Sequence, residues 1–468
     1  MLKQLAGCVR EYKRPTILTL IFIVGEAVIE TIIPFITANL VNRIKAGASI
    51  ESVMEVGLLL IIMAAISLVC GGLAGFTCAK ASTGFAKNLR SDLFHRIQTY
   101  SFENIDKFSS SSLVTRMTTD VTNVQMAFMM LIRIAIRSPL LLIFSTVMAF
   151  VMGGKLAFVF VVVIPILAFG LLAIGKKAMP AFRSVFKKYD RLNESIEENV
   201  RGMRVVKGFS REEYEKQKFN TAADNIRKDF TKAECIVALN TPLMNLCMYI
   251  NMVVVLLVGS KLAITSGGSA LDVGQISGML TYGMQILMSL MMLSMIYVMV
   301  TMSAESAKRI CEVLEEEPSL KEPENPVMEV KDGSIEFKNV NFKYSARAKK
   351  YALSDIDLSI RSGMTVGIIG GTGSSKSSLV QLIPRLYDVT EGAVLVGGVD
   401  VRSYDIPTLR SAVAMVLQKN VLFSGTIKDN LRWGNETATD EEIREACRLS
   451  QADEFIQTFP DKYDTYIE

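Results

Sequence analysis

The chain has 468 residues, of which 50% are hydrophobic, so it has room for two or three domains. Its mean hydropathy of +0.33 is high for a soluble protein, and the excess lies before Glu315, whereas the remainder has an ordinary soluble composition. A net charge of +4, spread along the chain, does not indicate a nucleic-acid partner. The single histidine, His95, and the absence of any C-x-x-C pair argue against a histidine-based catalytic centre or a structural metal site.

The apolar part of the chain contains six stretches long enough to cross a bilayer, which takes about 20 residues each. Short links join the first to the second, the third to the fourth and the fifth to the sixth, whereas long polar stretches separate these pairs. The pattern predicts an all-α membrane domain of six helices over residues 1–314. The predicted spans are Thr16–Asn42, Val53–Thr77, Met129–Met152, Ala157–Gly175, Ile236–Ala263 and Ile276–Met302.

Charge decides the expected orientation of these spans. The long stretches Lys80–Gln125 and Lys176–Lys232 are rich in Lys and Arg, so the positive-inside rule places them, and both termini, in the cytosol. Their composition favours helical extensions with polar bends near Phe102–Ser112 and Ser210–Glu215. The bends are either solvated hairpins or contact points for a cytosolic domain. We favour contact points, because a cytosolic domain follows on the same chain.

Two pairs of charged residues fall inside predicted spans. Glu26 and Glu30 lie four residues apart on the first span, and Arg133 and Arg137 do the same on the third. Charge inside a bilayer is costly and usually faces a bundle interior or a cavity. The pattern therefore indicates either ion pairing between helices, which we favour, or a cavity that accepts cationic substrates at Glu26 and Glu30.

Methionines recur at helical spacing along the sixth span and are expected to share one narrow stripe. Flexible, polarizable side chains suit a surface that accepts varied apolar ligands, but methionine is also common packing material. Both interpretations stay open, and the first makes Met284, Met288, Met295 and Met299 part of a substrate path. The stripe consists of Met284, Met288, Met291, Met295, Met299 and Met302.

The soluble part begins after Glu315–Gly333, whose prolines and acidic residues predict a linker. Ser334–Tyr344 alternates as a strand does, and Met364–Ile369 is a short apolar run that predicts a buried parallel strand. A glycine-rich stretch and then a predicted helix follow this run, which is the setting of a phosphate-binding P-loop. The stretch is Gly370, Gly371, Thr372, Gly373, Ser374, Ser375, Lys376, Ser377 and Ser378.

Each part of the P-loop has an expected task. Its glycines let backbone N–H groups face phosphate oxygens, and the following helix N-terminus favours negative charge. Lys376 is expected to reach the β- and γ-phosphates, and the Ser377 hydroxyl to ligate Mg²⁺. Ser375 stands where the P-loop pattern has glycine, and we expect its β-carbon to weaken the loop.

These features together resemble a half-transporter of the ATP-binding-cassette (ABC) exporters, of the multidrug and lipid type. The resemblance covers essentially the whole chain, including "LVTRMTTDV" (Leu113–Val121) and "RGMRVVKGFSREEYEKQKF" (Arg201–Phe219). It implies that Tyr344 stacks on adenine and that Gln418 senses Mg²⁺ and the γ-phosphate and contacts the membrane domain. The form "VLQKN" around Gln418 resembles one subunit of bacterial heterodimeric drug exporters.

The resemblance implies an α/β P-loop nucleotide-binding domain over residues 334–468, incomplete at its C-terminus. The family's LSGGQ-type signature, catalytic glutamate and switch histidine do not occur before Glu468, so we expect a truncated chain with no catalytic residue and no hydrolysis of its own. The implied cofactors are ATP and Mg²⁺. The implied partners are a second half-transporter subunit, with a heterodimer favoured, membrane lipid and an amphiphilic small molecule.

The expected function is ATP-driven export across the cytoplasmic membrane of a bacterium, by a multi-pass protein whose nucleotide domain is cytosolic. Closure of two nucleotide domains on ATP would switch the membrane domain from inward-facing to outward-facing. Two alternatives stay open. The first alternative is a regulatory subunit that binds nucleotide without hydrolysing it, which Ser375 favours and the intact Lys376 and Ser377 disfavour. The second is a lipid flippase, since drug export and lipid flipping both use an apolar cavity.

Overall fold

The computed structural model describes residues 2–266, 271–345, 348–418 and 420–467. The chain divides into two compact units, Met1–Ser319 and Leu320–Glu468. The first unit is helical. Its helices are α1 (Leu2–Gly7), α2 (Lys13–Lys45), α3 (Ile50–Gln98), α4 (Phe102–Phe108), α5 (Ser110–Thr115), α6 (Val121–Gly153), α7 (Phe158–Arg201), α8 (Met203–Gly208), α9 (Glu212–Ala238), α10 (Asn240–Thr265) and α11 (Val273–Glu315).

Five segments among the described residues are long and apolar enough to cross a membrane. One of them, Ser110–Phe182, contains α6 and the first part of α7. The two helices separate at Gly154, whose φ of 50° is one that glycine adopts without a steric penalty. Each of the six predicted spans therefore lies mainly in a helix of its own, in α2, α3, α6, α7, α10 and α11, and the fifth, Ile236–Ala263, begins in the last turn of α9.

Burial in the first unit follows the membrane assignment. The most apolar window of α3 contains no buried residue, and large apolar side chains such as Leu68 and Phe76 are exposed there. By contrast, α11 packs along α6 and buries Tyr282, Ile286 and Ile310. Apolar side chains on α3 that no protein covers suit a lipid environment, in which apolar surface costs nothing.

The second unit is built on a four-stranded antiparallel sheet in the order β2-β1-β3-β4. Phe337, Phe342 and Val394 on this sheet pack with Leu382 and Tyr404 in one apolar core. The elements are β1 (Ile335–Phe342), β2 (Leu353–Ile360), α12 (Lys376–Leu382), β3 (Glu391–Val396), β4 (Val399–Asp400), α13 (Ile406–Ala412), β5 (Gly425–Thr426), α14 (Ile427–Leu431), α15 (Asp440–Leu449), α16 (Asp453–Ile456) and β6 (Tyr466–Ile467).

One strand prediction is confirmed and another is wrong. The predicted strand Ser334–Tyr344 is β1, one residue shorter at its N-terminal end and two residues shorter at its C-terminal end. The apolar run Met364–Ile369 forms no strand, and Ile369 is 96% exposed. An apolar run becomes a strand only where a neighbouring strand supplies hydrogen-bond partners, and within the described residues no strand pairs with this run.

Candidate nucleotide site and membrane cavity

The P-loop is a tight turn that leads from the extended run into α12. Gly373 has a φ of 84°, and Ser375, the residue before α12, has φ 59° and ψ 25°. Both residues are thus left-handed, a backbone type that helps turn successive N–H groups toward one anion. Ser375 does occupy the conformation that a β-carbon makes costly, and its side chain forms no capping hydrogen bond with α12.

Lys376 lies over the start of this loop. Its Nζ donates to the carbonyl oxygens of Gly370 and Gly371, both at 2.9 Å, and to Ser374 Oγ at 3.3 Å. The ammonium group is therefore held against the loop backbone, and the hydroxyl-bearing Ser377 follows it on α12 as an exposed residue. A cation next to backbone N–H groups suits a polyphosphate.

Tyr344 follows β1 and lies beside the P-loop helix. Its hydroxyl is 2.6 Å from Ser378 Oγ, and its ring makes edge contacts with Phe342 and Tyr387. The residue is 43% exposed, so part of the ring remains open to a ligand. The fold thus brings the predicted adenine contact and the predicted phosphate contact into one neighbourhood.

The predicted Mg²⁺ ligands are two exposed side chains. Ser377 lies in the first turn of α12, and Gln418 lies in a bend between α13 and β5. Mg²⁺ takes oxygen ligands and keeps several waters beside substrate phosphates, so a P-loop hydroxyl and an amide oxygen are donors of a suitable kind. The described residues hold no cluster of three or more His, Cys, Asp or Glu that could bind a metal without such help. The roles of both residues stay predictions.

A cavity of about 550 Å³ opens between α2, α6 and α11 in the first unit. Its wall combines apolar side chains with a few polar ones. Of the predicted path residues, Glu30, Met284 and Met288 line it, whereas Glu26, Met295 and Met299 do not. The lining is Glu30, Ile33, Pro34, Ile134, Arg137, Ser138, Leu141, Thr281, Met284, Gln285, Met288, Ser289 and Met292.

The methionines do not form a single exposed stripe. Met284, Met288, Met295 and Met302 are exposed, but Met291 and Met299 are only partly exposed. At 100° per residue the six methionines still share one side of α11, so their unequal exposure comes from neighbours that change along the length of this helix. Met292, which the spacing argument passed over, lines the cavity instead.

One arginine of the pair on α6 meets both glutamates of the pair on α2. Arg137 Nη2 lies 2.6 Å from Glu30 Oε1 and 3.4 Å from Glu26 Oε1. The ion pairing between helices that the sequence favoured is therefore present. Both carboxylates already have a cationic partner, and a cationic substrate at Glu26 and Glu30 would compete with that partner.

A proline shapes α2 next to the cavity. Pro34 has no N–H, so the carbonyl of Glu30, four residues earlier, loses its helical partner. Gln285 on α11 supplies a replacement, because its Nε2 donates to that carbonyl at 3.3 Å. Ser145 on α6 in turn donates to Gln285 Oε1 at 2.8 Å. Three helices are thus joined by one polar chain at the cavity wall.

A second polar cluster, which sequence reasoning missed, joins α6 to α11 at a π-helical turn, Arg116–Asp120. Asp120 is fully buried and accepts from Ser306 Oγ and Arg309 Nε, each at 2.8 Å. Arg116 forms an ion pair with Glu312 at 3.1 Å and donates to the carbonyl of Arg309. The sequence signal was the polar segment "LVTRMTTDV", but the partners of Asp120 lie more than one hundred residues away along the chain.

The first predicted bend is attached to the C-terminal end of α11. It contains α4, in which Asn104 Nδ2 donates to Glu316 Oε1 at 3.0 Å and Lys107 Nζ lies 2.7 Å from Glu316 Oε2. The guanidinium of Arg116 lies 4.9 Å from the centre of the Phe108 ring. The bend, the π-helical turn and the end of α11 are therefore linked by direct contacts.

The second predicted bend carries exposed apolar side chains. Ser210, with φ 53°, turns the chain between α8 and α9. Phe209 is 76% exposed, and it lines a cavity of about 560 Å³ with Val205 and Tyr214. Exposed apolar groups concentrated at one turn favour a contact surface over a solvated hairpin.

Comparison with known proteins identifies two regions of the chain. Residues 16–290 match the profile of the ABC transporter transmembrane region, and residues 353–465 match that of the ABC transporter. An uncharacterised ABC transporter ATP-binding protein of Bacillus subtilis strain 168, YfiB, is 33% identical over 450 residues, covering 96% of this chain and 78% of the relative. An uncharacterised ABC transporter ATP-binding protein of Mycobacterium tuberculosis strain H37Rv is 32% identical over 455 residues, with the same coverage.

A relative with a described substrate is similar as well. The fatty acid ABC transporter ATP-binding/permease protein of Mycobacterium bovis is 30% identical over 379 residues, covering 81% of this chain and 59% of the relative. The chain belongs to the ABC transporters. A membrane region followed by an ATP-binding region in one chain makes it a half-transporter of exporter type, and a multi-pass membrane protein. Half-transporters of this kind generally dimerise.

Proposed function

We propose that the chain is one subunit of a dimeric transporter that exports an amphiphilic small molecule or lipid from a bacterial cell, driven by ATP. The cavity between α2, α6 and α11 carries this proposal. Met284, Met288 and Leu141 give it an apolar wall, and the paired charges of Glu30 and Arg137 give it a polar end. A site with both characters suits a molecule with a tail and a head group. The similarity to a fatty acid transporter supports the same substrate class.

ATP would bind at the P-loop of the second unit. Lys376 would contact the β- and γ-phosphates, residues Gly370–Ser378 would surround them, and Tyr344 would stack on adenine. Mg²⁺ would be held by Ser377 and Gln418 together with phosphate oxygens and would neutralise charge on the phosphates. The folded-back Lys376 ammonium and the open face of Tyr344 support these assignments.

We further propose the domain boundaries 1–314 and 334–468, a heterodimer as the assembly, and a cytosolic location for the long extensions and both termini. Closure of the nucleotide domains would reach the membrane helices through the two bends. The contacts of α4 with Glu316 and the exposed Phe209 and Tyr214 at the second bend support this route.

The substrate class is tested by a tryptophan reporter in the cavity. Met288→Trp, in a Trp433→Phe background, places the only indole of the chain at the cavity wall. In nanodiscs, a brominated amphiphile should quench its fluorescence saturably. The matched control is Leu68→Trp on the exposed face of α3, where Leu68 is 77% exposed and quenching should rise only with partitioning into lipid. Indistinguishable, non-saturable curves at both positions would remove the cavity as a binding site.

A second candidate function is regulatory nucleotide binding without effective hydrolysis. The left-handed backbone of Ser375 favours it, because a strained phosphate loop holds the ATP phosphates less well in the geometry that hydrolysis needs. The two candidates differ in how ATP turnover of the assembled transporter responds to a change at Ser375. Ser375→Gly would raise ATP turnover if strain in the P-loop limits hydrolysis. It would leave ATP turnover unchanged if the subunit serves regulation alone.

A further inference from the structure

The hydroxyl of Tyr344 is attached to the P-loop helix at two points. It lies 2.6 Å from Ser378 Oγ and donates to Gln381 Oε1 at 3.4 Å. A phenol has one proton, so the two contacts coexist when Ser378 donates to the phenol oxygen and the phenol donates to Gln381. The edge contacts of the ring with Phe342 and Tyr387, at centroid distances of 4.8 and 5.2 Å, hold the rest of the side chain.

Adjacent serines of α12 face different surroundings. Ser377 is exposed, whereas Ser378 is only 5% exposed and its hydroxyl meets Tyr344. Successive residues of a helix point about 100° apart, so the two hydroxyls cannot serve the same ligand atoms equally well. Ser377 is therefore accessible to a metal ion and phosphate, whereas the Ser378 hydroxyl is hydrogen-bonded to Tyr344.

Resting on the proposed nucleotide site, we propose that Ser378 is a positioning residue for the base. It sets the angle of the Tyr344 ring against adenine and thereby links base recognition to the P-loop helix, with Gln381 as its helper. The hydroxyl of Ser378 then contributes to affinity through Tyr344 and not by contact with phosphate.

The test compares two ligands by calorimetry on the purified full chain with Mg²⁺: ATP, and inorganic tripolyphosphate, which has no base. Ser378→Ala should weaken ATP binding about 3- to 10-fold, the value of one hydrogen bond, and leave tripolyphosphate affinity unchanged. Tyr344→Phe removes this contact together with the one to Gln381, so it should weaken ATP binding at least as much and also leave tripolyphosphate affinity unchanged. The double variant should be no weaker than Tyr344→Phe alone, because Ser378→Ala then breaks no further contact.

Two further variants keep the outcome unambiguous. Ser378→Thr retains the hydroxyl and should restore ATP affinity, which separates the lost contact from general damage to the loop. Lys376→Ala should weaken both ligands. Equal losses for ATP and tripolyphosphate in Ser378→Ala, or additive losses in the double variant, would overturn the proposal. If the unchanged chain bound neither ligand, the nucleotide site itself would fail, a result that is distinguishable from a loss of base selectivity alone.

Discussion

The buried cluster between α6 and α11 gives the largest stability effect that we predict. Asp120→Asn keeps the side-chain volume but removes the charge and turns one acceptor into a donor that faces Arg309. Breaking a buried ion pair costs about 3–5 kcal/mol. The side chain of Arg309 is 43% exposed, so water screens part of the charge that is left behind. We therefore expect Asp120→Asn to lower the free energy of unfolding by about 2–4 kcal/mol, somewhat less than for a fully buried pair.

The assay is thermal unfolding of the purified chain in one detergent, with midpoints compared between variants because such unfolding is often irreversible. The matched control is Asp224→Asn on α9, where Asp224 pairs with Arg227 at 2.8 Å but is 44% exposed. An exposed pair contributes at most about 1 kcal/mol, so this control should hardly change the midpoint. Equal midpoints for the two variants would refute the view that the Asp120 cluster holds α6 to α11.

Two other predictions concern the P-loop and the topology. Ser375→Gly should relieve the left-handed strain and tighten Mg²⁺-ATP binding, by about 5-fold for each kcal/mol relieved; an equal or weaker affinity would show that serine is accommodated without strain. Cysteines introduced by Ser110→Cys or Ser210→Cys, in a background without the exposed Cys235, should react with a membrane-impermeant thiol reagent only after cells are opened. Labelling in intact cells would reverse the orientation.

The sequence predicted what depends on composition and local pattern. Six long apolar runs became long helices, because a backbone in lipid must satisfy its hydrogen bonds within one segment. The alternation before Tyr344 became β1, and the glycine-rich motif became a left-handed turn before α12. Of the charged residues on two spans, Arg137 paired with Glu26 and Glu30, because charges buried in a bundle need partners.

What the sequence did not predict depends on partners far apart in the chain. The run Met364–Ile369 has strand composition, but a strand also needs a neighbour, and no local pattern reveals one. The contact of Asp120 with Arg309 required knowing that α6 and α11 pack side by side. Gln285 acts through a carbonyl that Pro34 frees on another helix, so only the packed structure reveals its role.

Binding of Mg²⁺-ATP by the purified chain tests the central claim most directly. Titration calorimetry should show saturable binding to the unchanged chain. Lys376→Ala should weaken it about 10- to 150-fold, since hydrogen bonds to charged groups contribute about 1.5–3 kcal/mol. Lys338→Ala, at an exposed side chain of β1, is the matched control and should bind as the unchanged chain does. Absence of saturable binding, or equal affinity in the two lysine variants, would contradict a nucleotide site at this P-loop.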